Sequence, residues 1–311
     1  FLGDTDGKSQ EPSPPVILEL SSWQLADLRG KGVLNPDVAL ITNILRDHQN
    51  RYASMDDYVS DKMVLFEGQT SKQTAIVNYD DPVLLPLSDA LHAKVMYFSK
   101  TRLPSDLHGV FLDGLEGICR NSRGETRIIP EELEIRGSHN RLNLLAAALA
   151  ARSLGLDPVK IRRAAARFKG IEHRLEFVKK ARGISFYNDS AATIPDAVIA
   201  AVQSFSKPVI LIAGGTDKEL DFALFKTLRE YVKAIHLLDG TATAKIVEVL
   251  QNSGTAFKGP FASLEKLFES IMQQAGSGDT VVFSPGCASF GMFKNEFDRG
   301  NKFKMMVQEL E

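Results

Sequence analysis

The chain has 311 residues, 44% apolar and 24% charged, enough for two ordinary domains with separate cores. A formal net charge of -2 offers neither the basic footprint of a nucleic-acid binder nor a polybasic membrane segment, so small charged metabolites are the expected partners. Two distant cysteines, Cys119 and Cys287, exclude a disulfide framework and a thiolate zinc site; with no long apolar run and no secretory leader, a cytoplasmic protein off the membrane is expected.

Short β-branched apolar runs alternate with helical patterns, the signature of mostly parallel α/β sheets. In chain order, 3–16 reads as loop, and strands are predicted at 16–20, 38–44, 74–78, 94–98 and 109–112, with a helix over 55–66. An alanine-rich helix follows at 139–154, apolar round most of its circumference, and a shorter one opens at Pro158. Near Gly170 the pattern restarts, with strands at 175–178, 184–187, 208–213, 234–238 and 280–284 separated by helices. The predicted organisation is residues 1–170 as one domain and 171–311 as a Rossmann-like, doubly wound second domain.

Polar clusters recur just past the predicted strands, where open parallel sheets collect ligands. Glu19 and Ser21 stand at the end of the first, suited to a hard cation with phosphate, although Ser21 and Ser22 serve equally as helix caps. His48 follows the second, as a metal ligand or a surface histidine. Lys62 stands in a mostly polar helix, where solvation is the default. Asn140 and Asn143 share a helix face that suits a planar heterocycle, with N-capping by Ser138 or Asn140 as the alternative. Glu172-His173-Arg174 marks the junction. The run from Tyr187 through Asp189 and Thr193 to Pro195 offers an anion site at a helix start, or a structural turn. Gly214-Gly215 before Lys218 lacks the full dinucleotide fingerprint. In the final cluster Ser289 is a candidate carboxylate binder; Cys287 has no evident base and reads as a buried thiol.

Six motifs follow one another along nearly the whole chain: L-E-L-S-S-W-Q-L at 18–25, T-N-I-x-x-D-H at 42–48, H-N-x-x-N at 139–143, E-H-R at 172–174, N-D-S-x-A-T at 188–193 and S-P-x-x-A-S-x-x-x-F-K-N-x-x-x-R-G at 284–300. Their wording and order resemble the Mur ligase family. The resemblance implies a central ATP-binding domain and a Rossmann-like amino-acid-binding domain, in a monomer making peptidoglycan precursors. Glu19, His48 and Lys62, the last as a carbamate, are implied as Mg2+ ligands. Asn140, Asn143, Arg174 and Asp189 are implied to bind ATP, and Thr193, Lys218, Ser289 and Phe297 to bind D-glutamate, which joins UDP-N-acetylmuramoyl-L-alanine through an acyl phosphate. Lys62, His48 and Lys218 carry the implied catalytic roles. The absence of a histidine between Asp189 and Pro195 favours the D-glutamate branch over sister ligases and folylpolyglutamate synthase; a non-catalytic nucleotide-binding fragment is the other alternative.

The family's phosphate loop is not recognised. Thr5-Asp6-Gly7-Lys8-Ser9 stands too close to Glu19 to leave room for a helix and return strand, so Lys8 receives no role. Ala191 replaces a lysine common in the family, and Asn50 stands at an often acidic position. Phe1-Leu2-Gly3 reads like the middle of a longer chain that includes a uridine-nucleotide domain, and the segment alone is expected to be inactive.

Overall fold

The computed structural model describes residues 15–47 and 51–311. Its first sheet, in spatial order, comprises β1 (Val38–Ile41), β2 (Thr74–Asn78), β3 (Lys94–Ser99), β4 (Gly109–Asp113), β5 (Glu116–Asn121) and β6 (Gly124–Ile129). The pairs from β1 to β4 are parallel, and β4, β5 and β6 close the sheet as an antiparallel meander. Side chains alternate across a strand, so β2 sends Ala75 and Val77 to one face and Ile76 to the other. The first face is covered by Tyr58 and Phe66 of α2 (Met55–Glu67), the second by Leu145 and Leu149 of α4 (Ser138–Ser153).

The second sheet runs β11 (Phe257–Phe261), β10 (Val232–Leu238), β9 (Val209–Ala213), β12 (Thr280–Phe283), β8 (Ile184–Asn188) and β7 (Glu176–Ala181). Only β7 is antiparallel to its neighbour. Leu211 and Val282 face α6 (Pro195–Val202), α7 (Thr243–Asn252) and a 3-10 segment at Ala223–Glu230; Ile212, Val281 and Phe283 face α8 (Leu264–Met272) and α9 (Glu296–Gln308). Both faces being covered explains why β9 is apolar at every position. Burial of each such side chain is worth about 1.5–3 kcal/mol, which fixes the sheet and with it the loops at its carboxyl edge.

Several sequence expectations change. Residues 16–20 form no strand; Val16, Ile17 and Leu18 are 85%, 87% and 70% exposed, and an apolar run without a hydrogen-bonding neighbour has no ladder to join. Ser21 instead caps α1 (Ser22–Leu28) in a capping box with Gln24. The first strand after it is shorter than predicted, ending at Ile41. α4 buries only the face carrying Leu145, Ala146, Ala148 and Leu149, and Asn143 and Ala147 are exposed, because the sheet covers one side of it. Gly137, with φ 91°, precedes α4 as its cap, so neither Ser138 nor Asn140 plays that part. The 3–14 loop expectation, Lys8, His48 and Asn50 lie outside the described residues.

Candidate active site

The parallel strands of the second sheet deliver four segments to one edge. β8 ends at Asn188 and leads through Asp189 to Thr193; β9 leads through Gly214 and Gly215 to Lys218; β12 leads to Ser289; α9 begins just beyond. The glycines are there for close approach: a Cβ on Gly214 would stand 2.5 Å from the Leu238 carbonyl oxygen, and one on Gly215 would stand 2.6 Å from that of Ala288. Thr216 and Ala288 form a bridge between two of these segments. Lys218 Nζ donates to Thr193 Oγ1 at 3.4 Å and lies 3.5 Å from Asp47 Oδ1, a carboxylate following β1 in the other sheet. Lys218 thus joins the carboxyl edges of both sheets. Ser289 is buried beneath this edge, and the Phe297 ring is 52% exposed and packs on His173 at 5.4 Å.

The junction between sheets holds a cavity of about 410 Å³, with Arg136 and Asn140 on one wall and Arg174, Phe177 and Tyr187 on the other. Asn140 and Arg174, predicted to share a ligand, do share this cavity. Asn143 is exposed and does not line it. Asn140 Nδ2 donates to the Arg136 carbonyl at 2.8 Å, leaving its own amide oxygen as an acceptor, and the Arg136 guanidinium lies 5.7 Å over the rings of both Tyr187 and Phe205. Behind it, Asp189 is buried and accepts from Leu175 N at 3.0 Å and Ser284 Oγ at 2.7 Å. Burial raises its pKa to about 7, against the lowering pull of these hydrogen bonds and Arg174. The backbone that aims Arg174 is held left-handed at His173 (φ 65°) and Leu175 (φ 47°). Asn188 Nδ2, 2.8 Å from His173 Nδ1, and Glu176 Oε2, accepting from His173 N at 3.0 Å, secure it.

Near the first sheet, Lys62 on α2 departs from the solvated side chain expected of a polar helix. Burial lowers its pKa, opposed by the charge of Asp47, and Nζ sits 5.0 Å over the Tyr58 ring. Burial also lifts the Tyr58 hydroxyl to about 12. Asp47 therefore pairs with Lys218 and also exerts its charge on Lys62, a placement that no motif spacing marks. Glu19 is exposed on irregular chain. Among the described residues no group of three or more His, Cys, Asp or Glu side chains is placed to hold a metal ion. Cys287 is fully buried and its thiol is pushed up to about 12, which fits a packing role and not a nucleophile.

Residues 10–151 match the Mur ligase middle domain and residues 173–287 match the Mur ligase glutamate ligase domain. The chain is 33% identical over 364 aligned positions to the UDP-N-acetylmuramoylalanine--D-glutamate ligase of Treponema pallidum (strain Nichols), covering 96% of this chain and 68% of that one. The chain belongs to the Mur ligase family. Its similarity to the like-named ligase of Roseiflexus sp. (strain RS-1) is 40% over 304 residues, 94% of this chain and 65% of that protein. The chain thus spans about two thirds of the length of these relatives. A MurF structure from Acinetobacter baumannii superposes with a TM-score of 0.66 at 20% identity, over 89% of this chain and 60% of that one. Escherichia coli FolC in complex with ADP gives 0.64 at 18%, over 89% and 63%. These two share the mostly parallel α/β fold.

Arg299 is the arginine of the R-G pair that closes the last motif, a position for which the resemblance implied no role. It is completely buried, and Nη1 and Nη2 donate to the carbonyls of Cys287 and Ser190 at 3.1 and 2.8 Å. It stands in a polar helical stretch, where nothing in the neighbouring letters marks it as interior.

Proposed function

We propose that this chain forms the nucleotide-binding and amino-acid-binding parts of a cytoplasmic, monomeric ligase that uses ATP to join D-glutamate to UDP-N-acetylmuramoyl-L-alanine. Residues 1–170 are the central ATP-binding domain and 171–311 the amino-acid-binding domain. The observation that carries the reading is Lys218, which meets Thr193 on its own edge and Asp47 on the facing one. A ligase of this kind must bring an amino acid from one domain onto an activated acyl group held by the other, and Lys218 sits at that seam.

In the mechanism, the terminal carboxylate of the acceptor substrate attacks the γ-phosphorus of ATP, giving an acyl phosphate and ADP. The D-glutamate amine attacks the acyl carbon, and the tetrahedral intermediate collapses with loss of phosphate. Asn140 and Arg174 hold the nucleotide across the junction cavity, the amide reading the base and the guanidinium offering charged donors; Asp189 sits behind them, and Asn143, exposed three residues further along the same helix, stands outside the cavity wall. Lys218, Thr193 and Ser289 bind a D-glutamate carboxylate, the ammonium supplying most of the attraction, while the exposed Phe297 ring covers the bound side chain. Approach of the two edges excludes water from the acyl phosphate, which would otherwise be hydrolysed.

Magnesium would screen the phosphates when bound. Its proposed ligands are Glu19, His48 and Lys62 as a carbamate. The described residues alone do not fit the ion, with Glu19 exposed and no acidic or imidazole cluster gathered among them. Lys62 does have the chemistry for carbamate formation, since burial raises the fraction of neutral amine able to attack carbon dioxide. The D-glutamate branch is favoured over sister ligases by the names of the relatives and by Thr193 standing in a loop without histidine. The test is phosphate release by the full-length protein given ATP and UDP-N-acetylmuramoyl-L-alanine. Release that depends on added D-glutamate is expected; release independent of it would overturn the reading.

A further inference from the structure

We propose that Arg299 is the positioning residue of the amino-acid pocket, a buried guanidinium that holds in register the four segments carrying Thr193, Lys218, Ser289 and Phe297. The inference rests on the ligase reading and goes beyond it, because Arg299 is fully buried and stands outside the residues assigned to the substrates.

Each segment meets the guanidinium separately. The carbonyl of Ser190, three residues before Thr193, accepts from Nη2 at 2.8 Å. The carbonyl of Cys287, two residues before Ser289, accepts from Nη1 at 3.1 Å. Gly215, three residues before Lys218, lies so close that an added Cβ would stand 3.5 Å from Nη1. Phe297 is two residues away on α9, and the adjacent Gly300 packs so tightly on Ser190 and His173 that a side chain there would collide with both. One group therefore fixes the relative height of two strand-end loops, a glycine turn and a helix start.

An arginine is a costly choice at a fully buried position. Its Nε finds no hydrogen-bond partner among the described residues, and burial, opposed by the charges of Cys287 and Glu296, pulls its pKa down to about 10, where it still carries its charge at neutral pH. A methionine would fill the volume at lower cost. What it lacks is a rigid planar fork that saturates two carbonyls from different loops at once. The fixed positive charge behind those loops also favours an anion in front of them, which suits the carboxylate assigned to Lys218 and Ser289.

The test uses the full-length protein with Arg299→Lys and Arg299→Met, measuring steady-state kinetics and thermal unfolding. The lysine ammonium keeps the charge and reaches one carbonyl but not both. With a charge-assisted hydrogen bond lost and a buried carbonyl left unsatisfied, the unfolding midpoint of Arg299→Lys falls by several degrees and KM for the amino acid rises about tenfold or more, while KM for ATP stays within about twofold. Arg299→Met shows the larger rise; if it does not fold, Arg299→Lys decides alone. An unchanged amino-acid KM in folded Arg299→Lys overturns the proposal, as does an ATP KM that rises in step, which marks a general loss of structure. The amino acid used is whichever one the wild-type protein consumes, so a wrong substrate assignment shows in the wild type and a wrong role for Arg299 only in the variants. A wild type without amino-acid-dependent turnover overturns the ligase reading and this inference with it.

Discussion

His236 on β10 gives a pH dependence that can be worked from its surroundings. Its ring is completely buried, stacks on Phe261 at 6.0 Å and 19°, and neither ring nitrogen makes a well-formed hydrogen bond among the described residues, the Ser270 backbone offering a weak one. Burial, reinforced by the charge of Lys258 and opposed by the Ser270 backbone, depresses its pKa from 6.5 to about 4. A base whose folded pKa lies below its unfolded value binds protons more readily when unfolded. Its neutral form therefore supports the fold fully above about pH 6.5, and stability is lost as pH falls toward 4. Linkage with these two values costs the fold about 2 kcal/mol at pH 5 relative to pH 7.5, approaching about 3 kcal/mol at lower pH. His236→Phe removes the titrating ring and keeps the stacking partner. Urea unfolding followed by circular dichroism at pH 7.5 and 5 is expected to show the wild type losing about 2 kcal/mol more than the variant between the two conditions. Equal losses in both proteins would refute the reasoning, by showing that the ring finds a proton-accepting partner when charged.

Other consequences are open to direct measurement. Asp189 titrates near 7 in the fold against 3.8 outside it, so its protonated form favours folding below pH 3.8 and that support is lost as pH rises through 7. Asp189→Asn, whose Oδ1 can accept from Leu175 N while its Nδ2 donates to the Ser284 hydroxyl, is therefore expected to stabilise the protein more at pH 8 than at pH 5; denaturation midpoints showing no such difference would contradict the burial argument. Arg174→Ala and Asn140→Ala should each weaken ADP binding by about 10-fold or more without lowering the unfolding temperature, as loss of a polar contact requires; calorimetry that finds wild-type affinity would remove them from the nucleotide site. For Lys62, labelled bicarbonate should produce a carbamate carbon resonance that is missing from Lys62→Ala, and its absence from the wild type would dismiss the modification. Cys287 and Cys119, both buried with raised pKa values, should resist iodoacetamide at pH 8 until the chain unfolds.

The legible parts of the fold were those where burial dictates composition. β2 was placed to the residue, and α5 (Pro158–Ala166) was announced by its Asp157-Pro158 start. β5 and β6 escaped because their outer positions carry Glu116, Arg120, Glu125 and Arg127, which pair with each other or with neighbours at a solvated edge and mask the apolar alternation. β11 escaped because Pro260 sits within it, tolerated at the edge of the sheet where one side needs no ladder. The 16–20 run misled in the opposite direction, since apolar residues alone do not supply a pairing partner. For the site, strand-end logic brought Thr193, Lys218 and Ser289 to one edge and Asn140 and Arg174 to one cavity. It could not show that Asp47 faces Lys62 and Lys218 together, or that Arg299 is interior, because both depend on packing between segments far apart in sequence.

The central claim is that the seam between the two sheets joins D-glutamate to an activated acyl group. The full-length protein, given ATP and UDP-N-acetylmuramoyl-L-alanine with single amino acids in turn, can be followed by mass spectrometry of the uridine-nucleotide product. The account predicts a gain of one glutamate residue with the D enantiomer and none with L-glutamate or a diamino acid; addition of a different amino acid, or no addition while ATP is consumed, would contradict it.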